Sequence, residues 1–139
     1  MTIRPPTIGP AVDDAPGPDA DEADEIRLTV PALADYARVV RLAVSGLASR
    51  NGFAYDDVED IRIAVGEVCG LLVAPHSDAR ITVRVSTTDA RITVDVTREP
   101  AGPRVEVGEL SEQILEAVAD EVEIDATAGH VLVTKQRQG

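Results

Sequence analysis

The sequence predicts an α+β fold, a two-layer sandwich in which helices cover one face of a mainly antiparallel sheet. Five short segments alternate apolar and polar residues at the period of half-buried strands. Three longer segments repeat apolar residues at helical spacing. The order is strand, two helices, two strands, helix and two strands, and short turns between consecutive strands favour antiparallel pairing. The second face of the sheet is expected to meet solvent or a partner.

The first strand and the first helix follow an extended head. Residues 26–30 alternate in polarity, and Pro31 ends this strand because proline has no N–H to donate. Helical spacing then predicts a helix of about four turns from Leu33, ended by Asn51-Gly52. Its predicted inward stripe comprises Leu33, Ala37, Val40, Val44 and Leu47.

The second helix begins at Asp56 and Asp57 and ends before Pro75. Carboxylates in its first turn suit the positive end of the helix dipole. Its predicted inward stripe comprises Val58, Ile61, Val65, Val68 and Leu72.

Two alternating segments, residues 80–86 and 91–97, predict an antiparallel hairpin around the turn at 88–90. A short loop with two prolines follows over residues 100–108.

A third helix is predicted from about Ser111 to Ala119. Its predicted inward residues are Leu110, Ile114, Leu115 and Val118. Residues 121–124 and 129–135 predict two final strands around a tight turn.

The composition limits the classes of function. The 139 residues suit one domain, and 13 basic against 25 acidic residues give a net charge of -12, which argues against direct nucleic-acid binding. A single cysteine, Cys69, excludes an intrachain disulfide and a cysteine-based zinc site. Neither a membrane span nor the apolar core of a signal peptide is present, so a cytoplasmic protein without membrane contact is expected.

Residues 1–25 contain five of the nine prolines and seven acidic residues, against one arginine. This composition predicts a disordered acidic extension ahead of a domain over residues 26–139. The extension is either a solvated head or a regulatory docking tail.

Three stretches of sequence carry a family resemblance. They are residues 31–41 with Pro-Ala and Tyr-Ala-Arg, residues 60–69 with Asp-Ile-Arg-Ile-Ala-Val-Gly-Glu-Val-Cys, and residues 115–135 with Ala-Asp-Glu-Val and the closing glycine and lysine. Over residues 26–136 the chain resembles the bacterial anti-sigma factors that are also serine-protein kinases, a branch of the GHKL (histidine kinase-like) ATPase superfamily. The resemblance implies a sandwich of the GHKL (Bergerat) type.

The central helix of that family carries Glu-x-x-x-Asn, and this chain has Glu67 but Leu71 at the asparagine position. In the family the glutamate acts on the attacking hydroxyl and the asparagine oxygen binds magnesium. Leucine offers no oxygen to a metal ion.

Two further ATP motifs depart from the family pattern. In the family, the aspartate of an Asp-x-Gly-x-Gly motif binds the adenine amino group, and this motif should follow the strand at 91–97. In this chain Asp95 lacks the two following glycines and is expected to be an outward-facing strand residue. Of the glycine-rich lid only Gly108 remains, and nearby carboxylates would repel a triphosphate. Those carboxylates belong to Glu106, Glu109 and Glu112. The sequence therefore predicts no nucleotide-binding or metal residues, and Mg-ATP is a cofactor only if the site persists despite these losses.

Two residues of the central helix have alternative interpretations. Glu67 is either a relic general base or a carboxylate at the cleft rim paired with a nearby arginine. Cys69 is interpreted as a small core residue and not as a nucleophile, because His76 and His130 occupy loop-like positions.

Arg38 and Arg41 form a basic pair on the first helix, expected on the face opposite its apolar stripe. The resemblance implies that Arg38 contacts the sigma factor and its competing antagonist, and Arg41 is added by proximity. The alternative is an intrahelical pair between Arg38 and Asp35.

These observations predict an anti-sigma factor that sequesters an alternative RNA polymerase sigma factor and is relieved by an anti-sigma-factor antagonist of the STAS type. The resemblance also implies a homodimer. Two alternatives stay open: an active ATP-dependent serine-protein kinase that phosphorylates the antagonist, and a scaffold that binds only the antagonist.

Overall fold

The residues that the structure describes include six strands: β1 (Thr2–Ile3), β2 (Glu25–Pro31), β3 (Arg80–Thr87), β4 (Arg91–Glu99), β5 (Glu121–Asp125) and β6 (His130–Gln136). These strands form one sheet in the order β1-β5-β6-β4-β3-β2. The computed structural model describes residues 2–3 and 25–138. All neighbouring strands pair antiparallel except β1 and β5, which are parallel.

Within the described part of the chain, three α-helices pack against this sheet: α1 (Ala37–Arg50), α2 (Tyr55–Leu72) and α3 (Glu109–Val118). Helix α1 contacts β3, α2 contacts β4 and β6, and α3 contacts β5. The predicted two-layer α+β architecture and both predicted hairpins are confirmed. Across the described ranges, 2–3 and 25–138, no helix combines the length and the apolarity that crossing a membrane requires.

The core lies between the helices and the inward face of the sheet. Val83, Val96, Val131 and Ile124 stand opposite one another across β3, β4, β6 and β5, and each is almost fully buried. Burial of each such side chain contributes roughly 1.5–3 kcal/mol. The alternation of apolar residues in these strands therefore produces a continuous aliphatic layer.

Three predicted positions were wrong. Leu33 is exposed because a short 3-10 turn at Ala34–Tyr36 precedes α1, so helical periodicity does not extend to it. Leu110 is 69% exposed. At 100° per residue it lies about 140° around α3 from the buried Leu115. His130 is the first residue of β6, which agrees with the strand predicted over residues 129–135 and contradicts the loop-like position also given to it.

The predicted disordered head falls almost entirely outside the described residues and stays a prediction. At its two ends, however, Thr2 and Ile3 form β1 beside β5, and Glu25 already pairs with Ser86.

Candidate functional site

Glu67 on α2 connects this helix to α3. The hydroxyl of Ser111, in the first turn of α3, donates a hydrogen bond of 2.6 Å to Glu67 Oε1. The predicted arginine partner is therefore wrong, and a serine takes its place. This bond joins α2 to α3. It involves Glu67, which occupies the position of the general base in the kinases that the chain resembles.

Leu71, one turn after Glu67, is half-buried and packs against the hydrophobic core. Its methyl groups extend the apolar layer and present no metal ligand. The side chain at the family's asparagine position thus contributes to packing.

Arg98 is a buried cation at the end of β4, with only 4% of its surface exposed. Its Nε donates to Ala101 O at 2.7 Å, Nη2 donates to Pro103 O at 2.5 Å, and Nη1 donates to Leu72 O at 3.4 Å. The guanidinium therefore joins β4 to the following loop and to the last residue of α2.

The loop after β4 is also packed closely against the turn between β5 and β6. The backbone N–H of Arg98 donates to Gly129 O at 2.8 Å, and that of Val105 donates to Ala126 O at 2.9 Å. Gly129 has φ 66°, and a Cβ there would stand 3.2 Å from Ala101 O. Only glycine fits this approach without strain.

Asp95 lies on the opposite face of the sheet from the helices, as predicted. Its Oδ1 is 3.0 Å from His130 Nε2, across the β4–β6 pair. This carboxylate is therefore separated by the sheet from Glu67 and Leu71. It is not placed to bind adenine beside α2.

The residues present do not fit Mg-ATP. Glu67 is bonded to Ser111, Leu71 offers no oxygen, and Asp95 faces away from the helices. The N-terminal turn of α3, where phosphates bind in other proteins, carries Glu109 and Glu112. Within residues 2–3 and 25–138, no three His, Cys, Asp or Glu side chains cluster to hold a metal ion.

Cys69 is buried on the inward face of α2, which confirms its interpretation as a core residue. Desolvation by burial raises the pKa of its thiol from 9.0 to about 11, and the nearby Arg41 guanidinium opposes this rise. A thiol held protonated is a poor nucleophile.

The raised pKa of Cys69 predicts a loss of stability in alkali. Between pH 9 and 11 the folded chain keeps a proton that the unfolded chain releases, so stability present below pH 9 falls as pH rises through 11. The full effect is roughly 2–3 kcal/mol, at about 1.4 kcal/mol per pH unit. Urea unfolding at pH 8, 9 and 10.5 measures it against Cys69→Ala, which lacks the thiol. Equal pH slopes in the two proteins would contradict the prediction.

Arg38 and Arg41 line one open cleft of about 420 Å³ at the start of α1, together with Ala34, Asp35 and Ala37. Asp35 borders the same cleft, but within residues 25–138 it forms no ion pair with Arg38. The predicted intrahelical pair is therefore not seen, and Arg38 is exposed.

Arg41 lies partly between the two long helices. A Cβ at Gly66 of α2 would stand 3.1 Å from Arg41 Cδ and 3.2 Å from Nη1. The half-buried side chain thus crosses α2 at a position kept open by glycine. Its predicted location fully opposite the apolar stripe is wrong, because the stem packs on α2.

Apolar side chains accompany Arg38 on the exposed surface of α1. Val39 is 45% exposed and Leu42, three residues later on the same helix face, is 64% exposed. Tyr36, at the end of the preceding turn, is also exposed. We call Tyr36, Arg38, Val39 and Leu42 the α1 patch. An arginine among exposed aromatic and aliphatic groups is a composition enriched in protein interfaces.

Sequence reasoning missed three contacts. Arg98 lies on the inward face of β4, on the same side as Val94 and Val96. A cation at an inward position of a strand is unusual, so the sequence alone could have identified it. Lys135 Nζ lies 3.0 Å from Asp60 Oδ2, which joins two residues of the resembling stretches. The bond from Ser111 to Glu67 had no signal in the sequence.

Comparisons with known proteins agree with this architecture. The sequence pattern of the histidine kinase-like ATPase domain matches residues 30–135. The serine-protein kinase RsbW of Halalkalibacterium halodurans is 33% identical over 133 residues, covering 80% of this chain and 82% of the relative. The serine-protein kinases RsbW of Bacillus velezensis and Bacillus subtilis are each 32% identical, over 84% and 86% of this chain and 88% and 89% of those relatives.

A crystal structure supports the fold. The RsbU and RsbW domains of Rv1364c from Mycobacterium tuberculosis superpose with a TM-score of 0.62 at 21% identity, over 84% of this chain. This chain spans only 32% of that protein's crystallised length. Together, the matched pattern and the full-length relatives confirm the resemblance stated from the sequence. The chain belongs to the histidine kinase-like ATPase domain family, in the branch of the serine-protein kinases RsbW.

Proposed function

We propose that this protein is an anti-sigma factor that acts by occlusion and not by phosphorylation. It binds an alternative RNA polymerase sigma factor through the α1 patch. An antagonist of the STAS type competes for an overlapping surface and releases the sigma factor. One observation supports this proposal most directly. Glu67 and Leu71, at the family's catalytic positions, make structural contacts, whereas the α1 patch and the cleft beside it are exposed.

The α1 patch suits a partner with a mixed apolar and polar surface. Leu42 and Val39 supply apolar area, and Arg38 supplies directional donors that fix the register of a partner. The net charge of -12 favours encounter with a basic partner. Because sigma factors act in the cytoplasm, the proposal includes a cytoplasmic location for this protein. It also includes the homodimer that the resemblance implies.

Capture of partners tests this proposal. The intact chain, immobilised by one end, is exposed to lysate of its own cell, and retained proteins are identified by mass spectrometry. The expected result is a sigma factor that purified antagonist displaces. Recovery of an antagonist with no sigma factor would favour the scaffold instead.

One observation favours an active serine-protein kinase as second candidate. Glu67 already accepts a hydrogen bond of 2.6 Å from a serine hydroxyl, as a general base must. That function also requires Mg-ATP, for which the residues at the other two motifs are unsuited. Isothermal titration separates the candidates, because saturable micromolar binding of Mg-ATP would overturn the occlusion mechanism.

The variant Leu71→Asn is expected to leave Mg-ATP binding undetectable, like the unmodified chain. Asparagine restores one metal ligand, but Asp95 stays on the far face of the sheet and Glu67 stays bonded to Ser111. Melting temperatures with and without millimolar Mg-ATP measure the effect. Leu71→Ala is the matched control for lost packing. A nucleotide-dependent rise confined to Leu71→Asn would contradict the prediction.

A further inference from the structure

The buried Arg98 guanidinium connects the end of α2 to the loop after β4. The proposed function does not use this connection. The carbonyl partners of Arg98 come from the last residue of α2, Leu72, and from Ala101 and Pro103 in the loop after β4. We call residues 100–105 the Arg98 loop. The side chain thus holds the end of α2 and the Arg98 loop together.

The charge of Arg98 is balanced by carbonyl dipoles. Within residues 25–138 no carboxylate forms a salt bridge with it. Leu72 O is one of the carbonyls left unpaired at the end of α2, where the helix dipole is negative. A buried cation without such partners would be strongly unfavourable, and among the described residues it is the loop and the helix end that compensate it.

The Arg98 loop is built closely around the guanidinium. Gly102 has φ 67°, and a Cβ there would lie 3.5 Å from Arg98 Nε and Nη2. Val105 closes the loop with a buried side chain and a backbone bond to Ala126 O. These contacts fix both ends of the loop and its middle.

We propose that Arg98 is a positioning residue that orders the Arg98 loop and the end of α2 in place of a bound nucleotide. The motif that this loop replaces contacts adenine in the kinases that the chain resembles. Here a side chain of the protein supplies the cation and donors, so the loop is ordered without a ligand. The inference rests on the proposed function, in which partner binding needs no nucleotide.

Amide hydrogen exchange on the intact chain tests this role. In Arg98→Met, exchange of the Val105 amide, which donates to Ala126 O, is expected to rise about tenfold or more, while β3 and β5 keep their protection. Arg98→Lys is expected to give a smaller rise at the same amide, because one ammonium cannot reach three carbonyls. The matched control is Arg104→Met, since Arg104 is exposed and its side chain donates to the surface hydroxyl Thr127 Oγ1.

Three outcomes would overturn the inference. They are unchanged loop exchange in Arg98→Met, an equal rise in Arg104→Met, and protection of the wild-type loop that appears only with Mg-ATP. If Arg98→Met does not fold, Arg98→Lys decides: a rise confined to the loop supports the role, and a uniform rise or none overturns it. No partner is present in this experiment, so failure to capture a sigma factor would overturn the proposed function and leave this result unaffected.

Discussion

Arg38→Ala is expected to weaken binding of the captured partner at least tenfold, about 1.4 kcal/mol or more, while the melting temperature stays unchanged. Arg38 is exposed on α1 and forms no salt bridge within residues 25–138, so its removal breaks no ion pair of the folded domain. At an interface, truncation leaves a partner carboxylate or carbonyl without its donor, which is the costly part of the change.

Quantitative binding to the purified partner, by titration at two salt concentrations, measures this effect. The matched control is Arg62→Ala, which removes an exposed arginine of α2 that pairs with Glu59 at 3.4 Å. Such a surface pair contributes little, so this variant should bind and melt like the unmodified chain. Equal affinity of both variants would show that Arg38 is not at the interface.

Arg38 and Arg41 illustrate how far a sequence pattern predicts a site. Their spacing of three residues placed both on one helix surface, and the structure brings them to one cleft. The pattern could not show that Arg41 lies across Gly66, because that contact depends on how α1 crosses α2. Long-range packing, and not local periodicity, makes the two arginines different.

The fold was predicted more fully than the site because it depends on periodicity. Alternation in β3 and β4 predicted which residues face the helices, including the outward position of Asp95. The hydrogen bond from Ser111 to Glu67 joins residues 44 positions apart, and no local pattern encodes it. The start of α1 was missed because Ala34–Tyr36 form a 3-10 turn before the helix. Leu33, which precedes this turn, has an extended backbone.

In our proposal, the departures from the ATP motifs and the ordering of the Arg98 loop are physically connected. A loop that approaches a nucleotide needs glycines and open space, whereas this loop is held by the Arg98 side chain and by the backbone bond from Val105 N–H to Ala126 O. The same carbonyls cannot both bind the guanidinium and rearrange around a ligand at no cost. A chain that retains this arrangement is therefore suited to constant presentation of one surface.

Leu115→Ala is expected to destabilise the domain by roughly 2–5 kcal/mol, a large part of the ~5–15 kcal/mol stability of a typical domain. Leu115 is fully buried and is the only residue of α3 in that class, with Ile114 and Val118 only half-buried. Its truncation leaves a cavity beneath the helix that packs on β5. Because α3 also carries Ser111, the loss should extend to the bond with Glu67.

Urea unfolding and hydrogen exchange measure this effect at two levels. The free energy of unfolding should fall by the stated amount, and the amides of α3 should lose protection before those of β3 and β4. Leu110→Ala is the matched control, since it removes the same atoms from the same helix at a position 69% exposed, and a change within about 0.5 kcal/mol is expected. Equal destabilisation by the two variants would show that α3 is not anchored through Leu115. The effect of Leu115→Ala on hydrogen exchange could be confined to α3 while the α1 patch still binds its partner. That result would show that α3 stabilises the fold independently of partner recognition.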